Sequence, residues 1–136
     1  MKHPGCTSDF SILRNRELMA AFRATIATME FVDIEAVSAL IVEKPCSRFW
    51  VSEERATAVV SAIIAGQPIL YTMRPTKREM FLDIYNRVKP LRDEFPNKPL
   101  CDLVFLAVNS PAPKFYMQPS YAMKIIYKIL NKKIKI

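Results

Sequence analysis

Glycine is almost missing from this chain: among 136 residues only Gly5 and Gly66 are glycine. Loops that cradle a phosphate with backbone amides need several, because only glycine lets the backbone approach so closely, so a nucleotide-dependent enzyme is disfavoured. Histidine is scarcer still. The single His3 lies near the start, which leaves no internal imidazole for a metal site or for a nucleophile and its base, and most hydrolase mechanisms lose their central group. Cys6, Cys46 and Cys101 are an odd number with no C-x-x-C spacing. That pattern suggests neither a disulfide framework nor a zinc knuckle, and the thiols are expected to be reduced. No apolar run approaches the roughly 18 residues of a membrane span, and Met1 to Phe10 has no apolar stretch of the signal-peptide kind. The expectation is a cytoplasmic chain with no membrane partner, no metal and no cofactor. Converging carboxylates are missing too, since Glu53 with Glu54 and Asp33 with Glu35 are splayed on a helix. No catalytic residue is assigned, and the chain is expected to act by binding and not as an enzyme.

The last absence is of acid. Residues 1 to 110 hold 14 Lys and Arg against 13 Asp and Glu, whereas residues 111 to 136 hold six lysines and no acid. Nearly all of the net charge of +7 therefore sits at the C-terminal end. Such a cluster can neutralise phosphates, or it can serve solubility alone.

What is present is an apolar fraction of 51%, enough for the core of one domain over 1–136, and a stretch written twice. Pro45-Cys46-Ser47-Arg48-Phe49-Trp50-Val51-Ser52-Glu53-Glu54-Arg55-Ala56 is answered 66 positions later by Pro111-Ala112-Pro113-Lys114-Phe115-Tyr116-Met117-Gln118-Pro119-Ser120-Tyr121-Ala122. Beyond it, Val59, Val60, Ile63 and Ile64 answer Ile125, Ile126, Ile129 and Leu130 without a gap. The repeat spans approximately 9–66 and 76–132.

Taken in order, Asp9 or Ser11 caps a first helix to about Glu30, with Leu18, Phe22, Ile26 and Met29 near one face and Arg16 and Arg23 on a solvated one. Asp33 caps a second helix that Pro45 ends. Alternation of Arg48 and Trp50 with Phe49 and Val51 predicts a short strand. Ser52 then caps a third helix closed by Gly66 and Pro68, and Gln67 to Pro75 reads as an extended connection. Thr76 with Glu79 matches a capping box for a helix that Pro90 stops near Lys89, followed by a loop from Leu91 to Lys98. Leu100 to Val108 suits a strand or a helix, and the repeat favours a helix. A second strand over Lys114 to Met117 leads to a final helix from Pro119, with Ala122, Ile125, Ile126, Ile129 and Leu130 inward.

The fold class expected is mainly α: two similar halves of helix, helix, short strand and helix, packed with pseudo-two-fold symmetry, their strands able to pair as a two-stranded ribbon. A basic and an aromatic residue sharing one side of such a ribbon suit nucleic acid, most simply double-stranded DNA. Arg48 and Lys114 would take phosphates or a guanine edge, Trp50 and Tyr116 would stack or pack on sugar, and Lys124, Lys128, Lys132 and Lys133 would supply attraction. A helix-turn-helix reading is opposed by the long Pro45 to Val51 connection and by the acids Glu53 and Glu54. The competing view makes the four aromatics packing residues and the chain a protein-interaction or assembly module.

Arg48-Phe49-Trp50-Val51-Ser52-Glu53-Glu54 resembles the strand and helix start of ribbon-helix-helix repressors, which implies a groove-reading ribbon. The duplicated P-x-x-R/K-F-aromatic-apolar pattern is similar to that of small basic bacterial proteins of uncharacterised function. That resemblance implies a bacterial source and no activity.

Overall fold

The computed structural model describes residues 8–134 and 136. Six α-helices are found among them: α1 (Ser8–Ile26), α2 (Ile34–Ile41), α3 (Glu53–Ile64), α4 (Pro75–Glu94), α5 (Leu100–Val108) and α6 (Pro119–Leu130), with a 3₁₀ turn at Ile69–Thr72. None is long and apolar enough to cross a membrane.

Local chemistry explains most of these ends. Asp33 accepts at Oδ1 from the amides of Glu35 (3.1 Å) and Ala36 (3.5 Å), and Ser52 Oγ accepts from the amide of Arg55 (3.1 Å). Each satisfies donors that a helix start leaves open. Gly66, at φ 78, ends α3 in a two-bond cap, its N–H donating to Ile63 O and that of Gln67 to Ala62 O, both at 3.0 Å. Leu100 to Val108 is helical, as the repeat suggested.

Other boundaries fall elsewhere. Helix α1 is already under way at Ser8 and stops at Ile26, so neither Asp9 nor Ser11 caps it and it does not reach Glu30. Helix α2 stops at Ile41, ahead of Pro45. The capping box fails, because α4 starts at Pro75 with Arg74 as its cap and no side-chain cap bond. A proline is well suited to a first turn, where its missing N–H is no loss. Helix α4 also runs through Pro90 to Glu94, although an interior proline costs about 3 kcal/mol. The buried stripe of Met80, Phe81, Ile84 and Val88 holds it against its neighbours. The stretch after Pro68 is not extended but coils into the 3₁₀ turn.

The chain divides into two compact units, Met1–Cys46 with Pro113–Ile136, and Ser47–Ala112. In the first, α1, α2 and α6 pack on one another; in the second, α3, α4 and α5 do, with the 3₁₀ turn against α3. Each unit thus joins the first two helices of one half of the chain to the third helix of the other half. A matching backbone bond ties each together. In the first unit the Phe115 amide donates to Val42 O at the end of α2 (2.9 Å), and in the second the Phe49 amide donates to Val108 O at the end of α5 (3.0 Å). Both satisfy a carbonyl at a helix end. Both donors and both acceptors stand 66 residues apart.

Neither expected strand is found among the described residues, and the ribbon and the strand-first likeness to ribbon-helix-helix repressors go with them. Only isolated bridge positions occur there, at Cys46 and Ala112, flanked by bends. Strict alternation needs one side chain in two to face solvent, yet Phe49 (0% exposed), Trp50 (8%) and Val51 (8%) are all buried. The Val51 amide donates back to Phe49 O (3.0 Å), which folds the segment on itself. In the second copy Tyr116 has φ 55, a left-handed conformation no strand contains.

Ser38 is fully buried in α2, and its hydroxyl has no hydrogen-bond partner. An unsatisfied buried hydroxyl costs on the order of 1 kcal/mol or more. Ser38→Ala is therefore expected to raise stability by about 1 kcal/mol in urea denaturation; a loss of stability would show that the hydroxyl finds a partner in solution.

Candidate functional site

The residues around the repeated aromatics serve the fold. Arg48 donates from Nε to Phe49 O (2.9 Å) and from Nη2 to Val51 O (2.6 Å), bracing the turn that buries Trp50. Burial holds its pKa below the ordinary arginine value, with nearby Glu53 acting in the opposite direction. Lys114 is half-buried, with Nζ 3.4 Å from Glu43 Oε1 and 5.9 Å from the centre of the Tyr116 ring. Tyr116, like Trp50, is only 8% exposed. Neither ring offers a face for stacking, and the two basic residues are engaged within their own units. Within each unit the residues expected on a ribbon are buried or half-buried.

The lysines of α6 are exposed. Ala122, Ile125, Ile126 and Ile129 are buried, on the side that meets α1 and α2. With 3.6 residues per turn the opposite face carries Lys124, Tyr127 and Asn131, with Lys128 and Tyr121 along one flank of it, all of them exposed. Lys132 and Lys133 follow, also exposed. Tyr121 and Tyr127 are 47% and 45% exposed, so part of each ring and its polar end reach solvent. From α1, the Arg14 guanidinium lies 5.6 Å from the centre of the Tyr121 ring, adding a further cation beside this face. The two tyrosines were not legible as site residues, because an aromatic at helical spacing is more often core. The acid-free run around them was the available signal.

The end of α6 is informative. The Lys132 amide donates to Ile129 O (3.0 Å) and the Lys133 amide to Lys128 O (2.8 Å), with Lys132 at φ 58. This is the cap that ends α3, with lysine in the place of Gly66. A side chain in the left-handed region costs about 1 kcal/mol relative to glycine. The chain therefore bears a backbone strain while keeping a cation at the end of a basic face, and the same cations stabilise the negative end of the helix dipole.

Fold and site together define a class: a small, mainly helical protein with one helix presenting a basic surface set with tyrosines. Beyond that class the comparisons add nothing, for the chain matches no protein-family model, no curated protein and no solved structure.

Proposed function

We propose that the chain is an internally duplicated, non-enzymatic protein that binds nucleic acid, most simply double-stranded DNA, through the outer face of α6. The observation that supports this most is the acid-free set of Lys124, Lys128, Lys132 and Lys133 around the exposed rings of Tyr121 and Tyr127. Ammonium groups at this spacing neutralise phosphates, and the ring edges and hydroxyls of the tyrosines suit sugar and phosphate oxygens. A helix face turned to solvent complements a groove. Single-strand binders use the reverse shape, a charged groove of their own, whereas the major groove of duplex DNA admits an α-helix. Arg48, Trp50, Lys114 and Tyr116 contribute by shaping the units and not by direct contact.

The test is fluorescence anisotropy of a mixed-sequence duplex titrated at several salt concentrations. Saturable binding should weaken steeply with salt. Lys132→Gly gives the sharper result, because it relieves the backbone while deleting a charge. It is expected to stabilise the protein by about 1 kcal/mol and to lower the magnitude of the salt slope by roughly 0.9, the share of one phosphate contact. Greater stability with unchanged binding would remove Lys132 from the interface.

One observation favours a protein partner instead. Phe105 and Leu106 on α5 are 53% and 45% exposed, and Phe105 lines a surface depression with Ala58, Thr57 and Cys101, the kind of contiguous apolar surface that marks interfaces. No DNA binding even at low salt would make this the better account.

A further inference from the structure

A cavity of about 700 Å³ opens in the second unit where the end of α4 and the turn after it meet α3 and α5. Its volume is in the range of small-molecule sites. Three cations line it, Lys89, Arg92 and Lys98, against one acid, Asp93. Two of the cations are set on aromatic rings of the same wall: Lys89 Nζ lies 5.1 Å from the centre of Tyr85, and Lys98 Nζ lies 4.6 Å from that of Phe95. Contact of this kind holds the ammoniums at the cavity rim instead of leaving them to swing in solvent. Leu100, the first residue of α5, also lines it; that helix has no side-chain cap, and Asp102 in its first turn offsets part of the positive end it brings to the cavity.

Counting 66 positions back from Arg92, Phe95 and Lys98 gives Ile26, Met29 and Val32 in the first unit. Two cations and a ring are therefore particular to this cavity. We infer that it binds a small organic phosphate with a flat heteroaromatic body, the class of the nucleoside monophosphates. An excess of two positive charges matches a phosphate dianion, for which Arg92 supplies paired donors and Lys89 and Lys98 point charges. Tyr85, Phe95 and Pro96 offer the apolar wall for a ring, and the Asp93 carboxylate accepts from a sugar hydroxyl or an exocyclic amine. This site is separate from the α6 face and its existence does not depend on DNA binding.

The experiment uses the full chain carrying Lys124→Ala and Lys128→Ala, which removes competing cations of α6. Calorimetric titration with the adenosine, guanosine, cytidine and uridine 5′-monophosphates should show saturable binding of at least one. Arg92→Ala with Lys98→Ala should weaken it by about tenfold or more, the worth of charged hydrogen bonds. Both residues are exposed, and circular dichroism verifies that the variant folds. Phe95→Leu, which keeps the apolar volume but loses the ring that also seats Lys98, should weaken the nucleotide by a larger factor than it weakens inorganic phosphate. Inorganic phosphate binding as tightly as every nucleotide would overturn the assignment of a ring, and so would equal binding by Phe95→Leu. Nucleotide binding unchanged in the Arg92 and Lys98 variant, or absent at millimolar concentration, would overturn the site.

Discussion

Phe49→Ala is expected to destabilise the second unit by about 3–5 kcal/mol, the cost of removing a buried phenyl group together with the cavity it leaves. Phe49 is 0% exposed. Its ring lies under the Arg87 guanidinium, with the central carbon 4.8 Å from the ring centre, and Arg87 in turn donates to Ser110 Oγ (2.7 Å) and to Pro111 O. Truncation thus empties the core at the point where the loop before α3 is tied to the end of α5. The corresponding Phe115→Ala, at a residue 2% exposed in the first unit, should cost a similar amount. Urea denaturation followed by circular dichroism measures both. Trp50 is the only tryptophan of the chain and lies beside Phe49 in sequence, so its fluorescence reports on the second unit directly. A loss under about 1 kcal/mol for Phe49→Ala, within the range of surface changes and mild substitutions, would mean that the loop is not packed as described.

Reversing two charges on α6, Lys124→Glu with Lys128→Glu, is expected to weaken duplex binding roughly 100-fold at low salt. Loss of one charged hydrogen bond to phosphate is worth on the order of tenfold, and an introduced carboxylate repels the backbone as well. The magnitude of the salt slope should fall by about 2, since each phosphate contact contributes roughly 0.9. Because both side chains are exposed and turned away from the buried isoleucines of α6, the fold should tolerate the change. Lys44→Glu with Lys77→Glu removes the same net charge elsewhere. If this control weakened binding equally, the effect would belong to overall charge and the α6 face would lose its assignment.

Much of the helical layout is legible in the amino-acid sequence. Ser52 before two glutamates, Asp33 before an apolar stripe, and Gly66 after one are local signals, because each acts on amides and carbonyls only a few residues away. The last helix and its outer lysines are legible for the same reason: burial of Ile125, Ile126 and Ile129 at helical spacing leaves Lys124 and Lys128 on the other side. Alternation over four residues misleads at Arg48 to Val51. Periodicity that short does not distinguish a strand from a turn whose side chains are all buried, and nothing local reveals that the Arg48 guanidinium binds the carbonyls of Phe49 and Val51. Pro90 misleads in the opposite direction. Its local cost is genuine, but the packing of α4 outweighs it.

By itself, the sequence determined the positions of most helices and the buried residues Ala56, Val59 and Val60 of α3 and Ala122, Ile125, Ile126 and Ile129 of α6, since caps and periodicity act between near neighbours in the chain; Ile64 and Leu130, at the ends of those stripes, are exposed against expectation. Only tertiary structure decided that Trp50 and Tyr116 are buried, that α3 joins α4 and α5 while α6 joins α1 and α2, and that Arg92 and Lys98 line one cavity. Those are long-range outcomes. They depend on which apolar faces meet once the chain has folded, and the burial energy of those faces, several times any single cap or propensity, decides where each polar group is left.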